Sequence, residues 1–261
     1  MKKDTFKKNY SVQTIHRAVK ILRSFTREEK RLSLTELHKI TGIGKSSLQR
    51  ILSTLTMEGL LQKDETDKRY QLGLDFIFFA ELVEKNSSLL SLAKPIMERI
   101  NEETTESVSL NVIENNMRKC IYNIESKHDL EALIFVGQTS PLYAGASAKV
   151  LLAYFPEDEL EKYLQDTTLE KITETTFTDK HQLRKELARI RKKGYAYSNG
   201  ERVKGAISFS APIFDPFSKI FASLSIVIPS VRFAENDREL IIKKIVMGAE
   251  KITRKLRNGS M

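Results

Sequence analysis

Lys45, Ser46, Ser47, Gln49 and Arg50 fall within six consecutive positions, and Ser53 follows on the same side of a helix. Short hydroxyls bond phosphates or base edges. Glutamine reads adenine, arginine reads guanine or clamps a phosphate, and lysine neutralises backbone charge. The chemistry on offer is recognition of a nucleic-acid duplex rather than bond making. Taken singly, each residue suits an ordinary solvated helix face equally well, so the case rests on their position within a motif.

The charge distribution points the same way. The net charge is +9, and residues 1–70 hold 16 Lys/Arg against 8 Asp/Glu, whereas residues 71–261 hold 27 against 26. A basic head on a nearly neutral body fits a polyanion-binding module joined to something else. With 261 residues, 41% hydrophobic and 30% charged, the chain can bury a substantial core and form two domains. No apolar run is long enough for a membrane span, and the first twenty residues lack a secretory core. Cys120 is the only cysteine, which excludes a disulfide framework and a Cys-rich zinc site. It falls in an alternating strand, where packing explains it better than redox chemistry. His16, His38, His128 and His181 are scattered without metal-ligand spacing. A cytoplasmic protein with no cofactor and no metal is expected.

The elements that must hold the reading cluster follow from apolar spacing. Val12, Ile15, Ala18, Val19, Leu22 and Phe25 predict a first helix with one buried stripe. Ser33-Leu34-Thr35-Glu36 matches a capping box, with Leu34, Leu37 and Ile40 as the apolar face of a short second helix. Gly42 stands where its C-terminus needs a left-handed residue. A third helix runs from Lys45 to about Glu58 and buries Leu48, Ile51, Leu52 and Leu55. Helix, glycine turn and helix make a helix-turn-helix. Residues 60–63 and 69–72 then form a β-hairpin wing, with Lys68 and Arg69 near its tip, where wings touch phosphates.

Residues 73–83 are strongly apolar and read as a linker helix that needs a partner on both sides, between domains or from a second subunit. In the body, residues 89–104 form a helix. Strands are expected at Ser107–Ile113, Lys119–Glu125 and Leu133–Val136, with a hairpin turn at Asn115-Asn116. Helices follow at residues 147–155, from Pro156, and at 178–193, then strands at 195–198, 206–214 and 220–228 and a last helix. Ser208 and Ser210 share one face, as do Ser223 and Ser225. The fold class is α+β: a winged helix-turn-helix domain (1–72), a linker helix (73–88), and an effector-binding and oligomerisation domain (89–258) with an antiparallel sheet flanked by helices. No nucleophile–base set or phosphate-binding glycine loop is visible, so no enzyme is expected. The serines beside Ala144-Gly145-Ala146-Ser147-Ala148 fit an anion pocket or, equally, solvent-facing strands and tight packing.

Read in order, several segments form a recognisable pattern. They are Gln13-Thr14-Ile15-His16-Arg17-Ala18, Leu32 to Leu37, Thr41 to Ser47, Tyr70-Gln71-Leu72-Gly73, Pro141 to Ala153, Phe177-Thr178, Ile190 to Tyr195 and Ala211 to Asp215. Across roughly residues 10–255 the chain resembles the IclR family (isocitrate lyase regulator type) of bacterial transcription factors. The resemblance implies a GAF-like effector domain and a dimer or dimer of dimers. DNA contacts are expected from Thr14, Arg17, Ser33, Lys45, Ser46, Ser47, Gln49, Arg50, Lys68 and Arg69. The resemblance also implies effector contacts from Ala146, Ser147, Ser198, Glu201, Ser208 and Ser225. Three positions depart from the family pattern: Ala148 replaces a glycine, Ser208 a cysteine of some relatives, and Val227 a serine of others. The expected function is a sequence-specific repressor that binds operator DNA and is controlled by an organic acid. The alternatives are a DNA-localised enzyme acting on that molecule and a non-specific architectural DNA binder.

Overall fold

Apolar spacing draws the first helices around a common core. In a computed structural model, residues 11–132, 134–234 and 237–258 are described, and the chain divides into two units, 1–86 and 87–261. In the first unit, α1 (Gln13–Leu22), α2 (Leu34–Thr41) and α3 (Lys45–Met57) enclose Ile21, Leu37, Leu48, Leu52 and Leu55. The hairpin β1 (Leu61–Lys63) and β2 (Tyr70–Leu72) closes this unit. Tyr70 and Leu32 exchange backbone hydrogen bonds of 2.8 and 2.9 Å, which ties the wing to the start of α2.

Local chemistry sets the helix ends. The Ser33 hydroxyl accepts from the Glu36 amide while the Glu36 carboxylate accepts from the Ser33 amide, completing the capping box. Gly42 ends α2 with φ +66°, a conformation that disfavours a side chain. Two apolar assignments need correction. Val12, Ile15 and Val19 are exposed, and the stripe that packs inward is Ala18, Ile21, Leu22 and Phe25. Both sets have helical spacing, so α1 carries two adjacent stripes and only one meets the core. Ile40 is also exposed, because Thr41 takes the inner slot and donates its hydroxyl proton to the Leu37 carbonyl at 2.6 Å.

After the wing, α4 (Asp75–Asn86) has no buried residue. Ile77, Phe78, Phe79, Leu82 and Val83 all stand exposed along it.

The second unit is built on one antiparallel sheet in the order β5-β4-β3-β8-β7-β6. Its strands are β3 (Ser107–Glu114), β4 (Met117–Ile124), β5 (Thr139–Pro141), β6 (Ala196–Asn199), β7 (Ala206–Phe214) and β8 (Ile220–Pro229). Asn115 and Asn116, both at positive φ, turn β3 into β4. The third strand expected at 133–136 is absent over Ile134–Val136, Leu133 lying outside the described residues; the chain bonds to Cys120 of β4 at Gly137 and Gln138 and pairs with β4 as a strand at Thr139–Pro141.

Strand alternation separates the sheet's two faces. Val108, Leu110, Phe209, Ala211, Leu224 and Ile226 pack against α5 (Ser88–Thr104) and the last helix, α9 (Arg238–Asn258). Each large buried side chain there contributes about 1.5–3 kcal/mol. The opposite face carries Ser109, Asn111, Ser198, Ser208, Ser210, Ser223 and Ser225, as the strand register requires. Over it lies α6 (Ala146–Ala153), backed by α7 (Glu157–Asp166) and α8 (Lys180–Lys193).

Gly73 provides a test of how the wing closes. A Cβ there would sit 1.9 Å from the Gly59 carbonyl oxygen, a backbone atom that cannot swing away. Gly73→Ala is expected to destabilise the first unit by about 2–3 kcal/mol. Chemical denaturation followed by circular dichroism reads this directly, and an unchanged midpoint would contradict the close approach.

Candidate functional site

The first candidate surface is α3. Its inner side buries Leu48, Ile51, Leu52 and Leu55, which turns Lys45, Ser46, Gln49, Arg50 and Ser53 to solvent. Gly44 precedes the helix and no side chain caps it, so the first-turn amides are left for an outside acceptor. Ser47 accepts from the Arg17 guanidinium at 3.3 Å, which holds α1 beside the start of α3. Thr14 and Arg17 are exposed on α1.

Other expected contacts have internal partners. The Ser33 hydroxyl is occupied by its cap. Arg69 donates to the Arg31 carbonyl at 3.0 Å and to Glu36 at 3.2 Å, which bolts the wing to α2. Lys68 pairs with Glu65 at 2.7 Å; both are well exposed, so the pair is weak and readily exchanged for a phosphate.

The second candidate site lies on the polar face of the sheet. Ala146, Ser147, Ser198, Glu201, Ser208 and Ser225 all line one cavity of about 30 Å³, at the N-terminus of α6. Their roles differ. The Ser225 hydroxyl is engaged with Ser210 at 2.8 Å and receives the Asn111 amide at 3.3 Å. The hydroxyls of Ser147, Ser198 and Ser208 have no hydrogen-bond partner among the described residues.

Glu201 is already committed. It accepts from buried Lys149 at 2.6 Å and from the Gly145 amide at 3.0 Å. Burial pushes its carboxyl above the usual range, and Lys149 partly offsets that. Lys149 also donates to the Tyr197 carbonyl and to Glu186, with its ammonium over the Phe177 ring. This cluster anchors the small-residue loop at φ +91° of Gly145.

The cavity's most unusual group was missed by sequence reasoning. Arg118 on β4 is 1% exposed. Its Nε donates to Ser140 and its Nη1 to Asn111, each at 3.0 Å, and its Nη2 has no partner. Burial lowers its pKa to about 10, so it stays charged at neutral pH. A one-residue bulge places it. Ser109 pairs with Asn123, yet Asn111 pairs with Cys120, which makes Ile121 the extra residue. Without that insertion Arg118 would turn to the apolar face. Cys120 lands on the same polar face, fully buried, with its thiol pKa raised by burial. No cluster of His, Cys, Asp and Glu suited to a metal exists among the described residues. No helix among them is long and apolar enough to cross a membrane.

Comparison with known proteins identifies the family of the chain. Residues 82–254 match the model for the bacterial transcriptional regulator IclR C-terminal domain, and residues 14–65 match the IclR helix-turn-helix domain. The chain belongs to the IclR family. It is similar to the HTH-type transcriptional regulator KipR of Bacillus subtilis, 32% identical over 244 residues, covering 94% of this chain and 97% of KipR. The Thermotoga maritima IclR crystal structure superposes with a TM-score of 0.80 at 29% identity, covering 94% of this chain and 98% of that one. An IclR homolog from Microbacterium hydrocarbonoxydans, crystallised with 4-hydroxybenzoate, shares the fold with a TM-score of 0.83 at 24% identity, covering 94% and 100%. This IclR-family member is therefore a DNA-binding transcriptional regulator with an effector domain, and the enzymatic alternative is set aside.

The buried ion pair yields a stability test. Lys149→Met leaves Glu201 buried without its cation and is expected to cost about 3–5 kcal/mol; adding Glu201→Gln should recover part of that. In the single variant Glu201 titrates above its unfolded value, so folding takes up a proton. Stability is then greatest in acid and falls as the pH rises from the ordinary carboxylate range through the raised pKa. Urea unfolding across that range reads both effects, and equal midpoints for the single and double variants would refute the coupling.

Proposed function

We propose that this protein is a dimeric repressor released from, or held on, its operator by a small organic acid. One observation carries the effector reading: the buried, unpartnered Nη2 of Arg118, a residue that lines the cavity. A buried charged donor left without an acceptor costs several kcal/mol, and a carboxylate is the acceptor whose geometry fits a guanidinium. The surrounding serine hydroxyls and the N-terminus of α6 favour the same charge. The 4-hydroxybenzoate of the Microbacterium homolog, itself a carboxylate, is consistent with this chemistry.

For DNA, α3 enters the major groove with Lys45, Ser46, Ser47, Gln49 and Arg50 toward it. Thr14, Arg17 and Lys68 reach flanking phosphates, while Ser33 and Arg69 hold the frame. One head reads half a site. A second copy covering the apolar side of α4 sets two recognition helices about 34 Å apart, one turn of duplex. Bound across a promoter, such a dimer represses by occupancy, which asks no further activity of the chain. The acid acts only by favouring one arrangement of the heads over another.

Two outcomes check the reading. Fluorescence anisotropy on a promoter fragment is expected to show affinity that falls steeply with salt and weakens about 5- to 150-fold for Arg50→Ala. Affinity unchanged by that substitution would remove Arg50 from the interface. Small carboxylates are expected to shift operator affinity in the native protein but not in Arg118→Met. A shift that persists in the variant would place the acid elsewhere.

A further inference from the structure

The cavity holds more positive charge than one carboxylate neutralises. Arg202 lines it as well, half-buried, with no hydrogen bond or ion pair among the described residues. Burial depresses its guanidinium pKa as it does that of Arg118, and Arg118 is depressed further by the charge of Arg202. The one lining carboxylate, Glu201, is spent on Lys149 and the Gly145 amide. The result is a small polar chamber with two guanidinium groups holding unused donors and no free anion to meet them.

Resting on the reading that this cavity takes an organic acid, we infer that the acid is a short dicarboxylate, with one carboxylate on Arg118 and the other on Arg202. A monoanion would leave one guanidinium uncompensated in a poorly solvated site, whereas a dianion satisfies both. Size limits the ligand to the shortest diacids, and even these need more room than the space for roughly two waters that about 30 Å³ provides. Room comes from the side of Arg202, since Arg118 is fixed by Ser140 and Asn111. Arg202 sits in a turn bounded by Gly200 and Gly205, at φ +74° and +78°, with Val203 and Lys204 exposed. The hydroxyls of Ser147, Ser198 and Ser208 serve the remaining oxygens.

Isothermal titration calorimetry on the full chain tests this with acids matched in length: malonate against propionate, and succinate against butyrate. At least one diacid is expected to bind about 10-fold or more tighter than its monoacid, the worth of one further charge-assisted contact. Arg202→Met, a change in a partly exposed turn, is expected to erase that preference, so that each diacid binds no tighter than its monoacid. Equal affinity for both members of each pair in the native protein, or a preference that survives Arg202→Met, overturns the dicarboxylate assignment and leaves the organic-acid reading standing. Failure of all four acids to bind overturns both.

Discussion

The two-residue period of a β-strand governs the effector domain. It sends Val108, Leu110, Leu224 and Ile226 to the α5–α9 side and Ser109, Asn111, Ser223 and Ser225 to the other. A sheet so divided has a face it must bury and a face it cannot bury without partners. The polar face meets that demand internally for most of its width. Hydrogen bonds run from Ser140 through Arg118 and Asn111 to Ser225 and Ser210, crossing five strands. The series ends on an unsatisfied donor at one point only, Nη2 of Arg118, and that point lines the cavity. The network thus keeps one buried donor that it does not itself fill.

Lys149 gives the same cavity its rigid wall. An ammonium with 1% exposure survives only with several partners, and it has Glu201, Glu186, the Tyr197 carbonyl and the Phe177 ring. Those partners come from the loop before α8, α8 itself, β6 and the turn after it, so one side chain ties four segments to the start of α6. The pair contributes little net stability by burial alone. Its effect is positional: Gly145 is drawn to Glu201, and the small residues behind it are held against the sheet.

Much of this architecture was legible in the sequence because its signals are local. Ser33 with Glu36, Gly42, and the Asn115-Asn116 turn each announce a geometry through their own side-chain or backbone preferences. The strands from Ala206 and Ile220 were equally plain, since Ser208, Ser210, Ser223 and Ser225 alternate with apolar residues. What escaped depends on distant neighbours. Arg118 reads as a turn-flanking residue until the bulge at Ile121 inverts the side it faces, and no residue type marks that insertion. The commitment of Glu201 to Lys149 spans 52 positions and cannot be inferred from either residue's surroundings. On α1, two stripes with the same period compete, and only tertiary packing chooses Ile21 over Ile15.

The exposed flank of α4 has a consequence for dosage. A twelve-residue segment with nothing buried gains little from its own backbone bonds, since isolated helices of that length are marginal in water. On the proposal that a second copy covers this flank, its order comes from that copy and varies with how many copies are present. Scarce copies would then carry a frayed α4 and read promoters poorly, while abundant ones would stiffen each other. On that footing the response to rising abundance is steeper than simple occupancy of one site by one molecule.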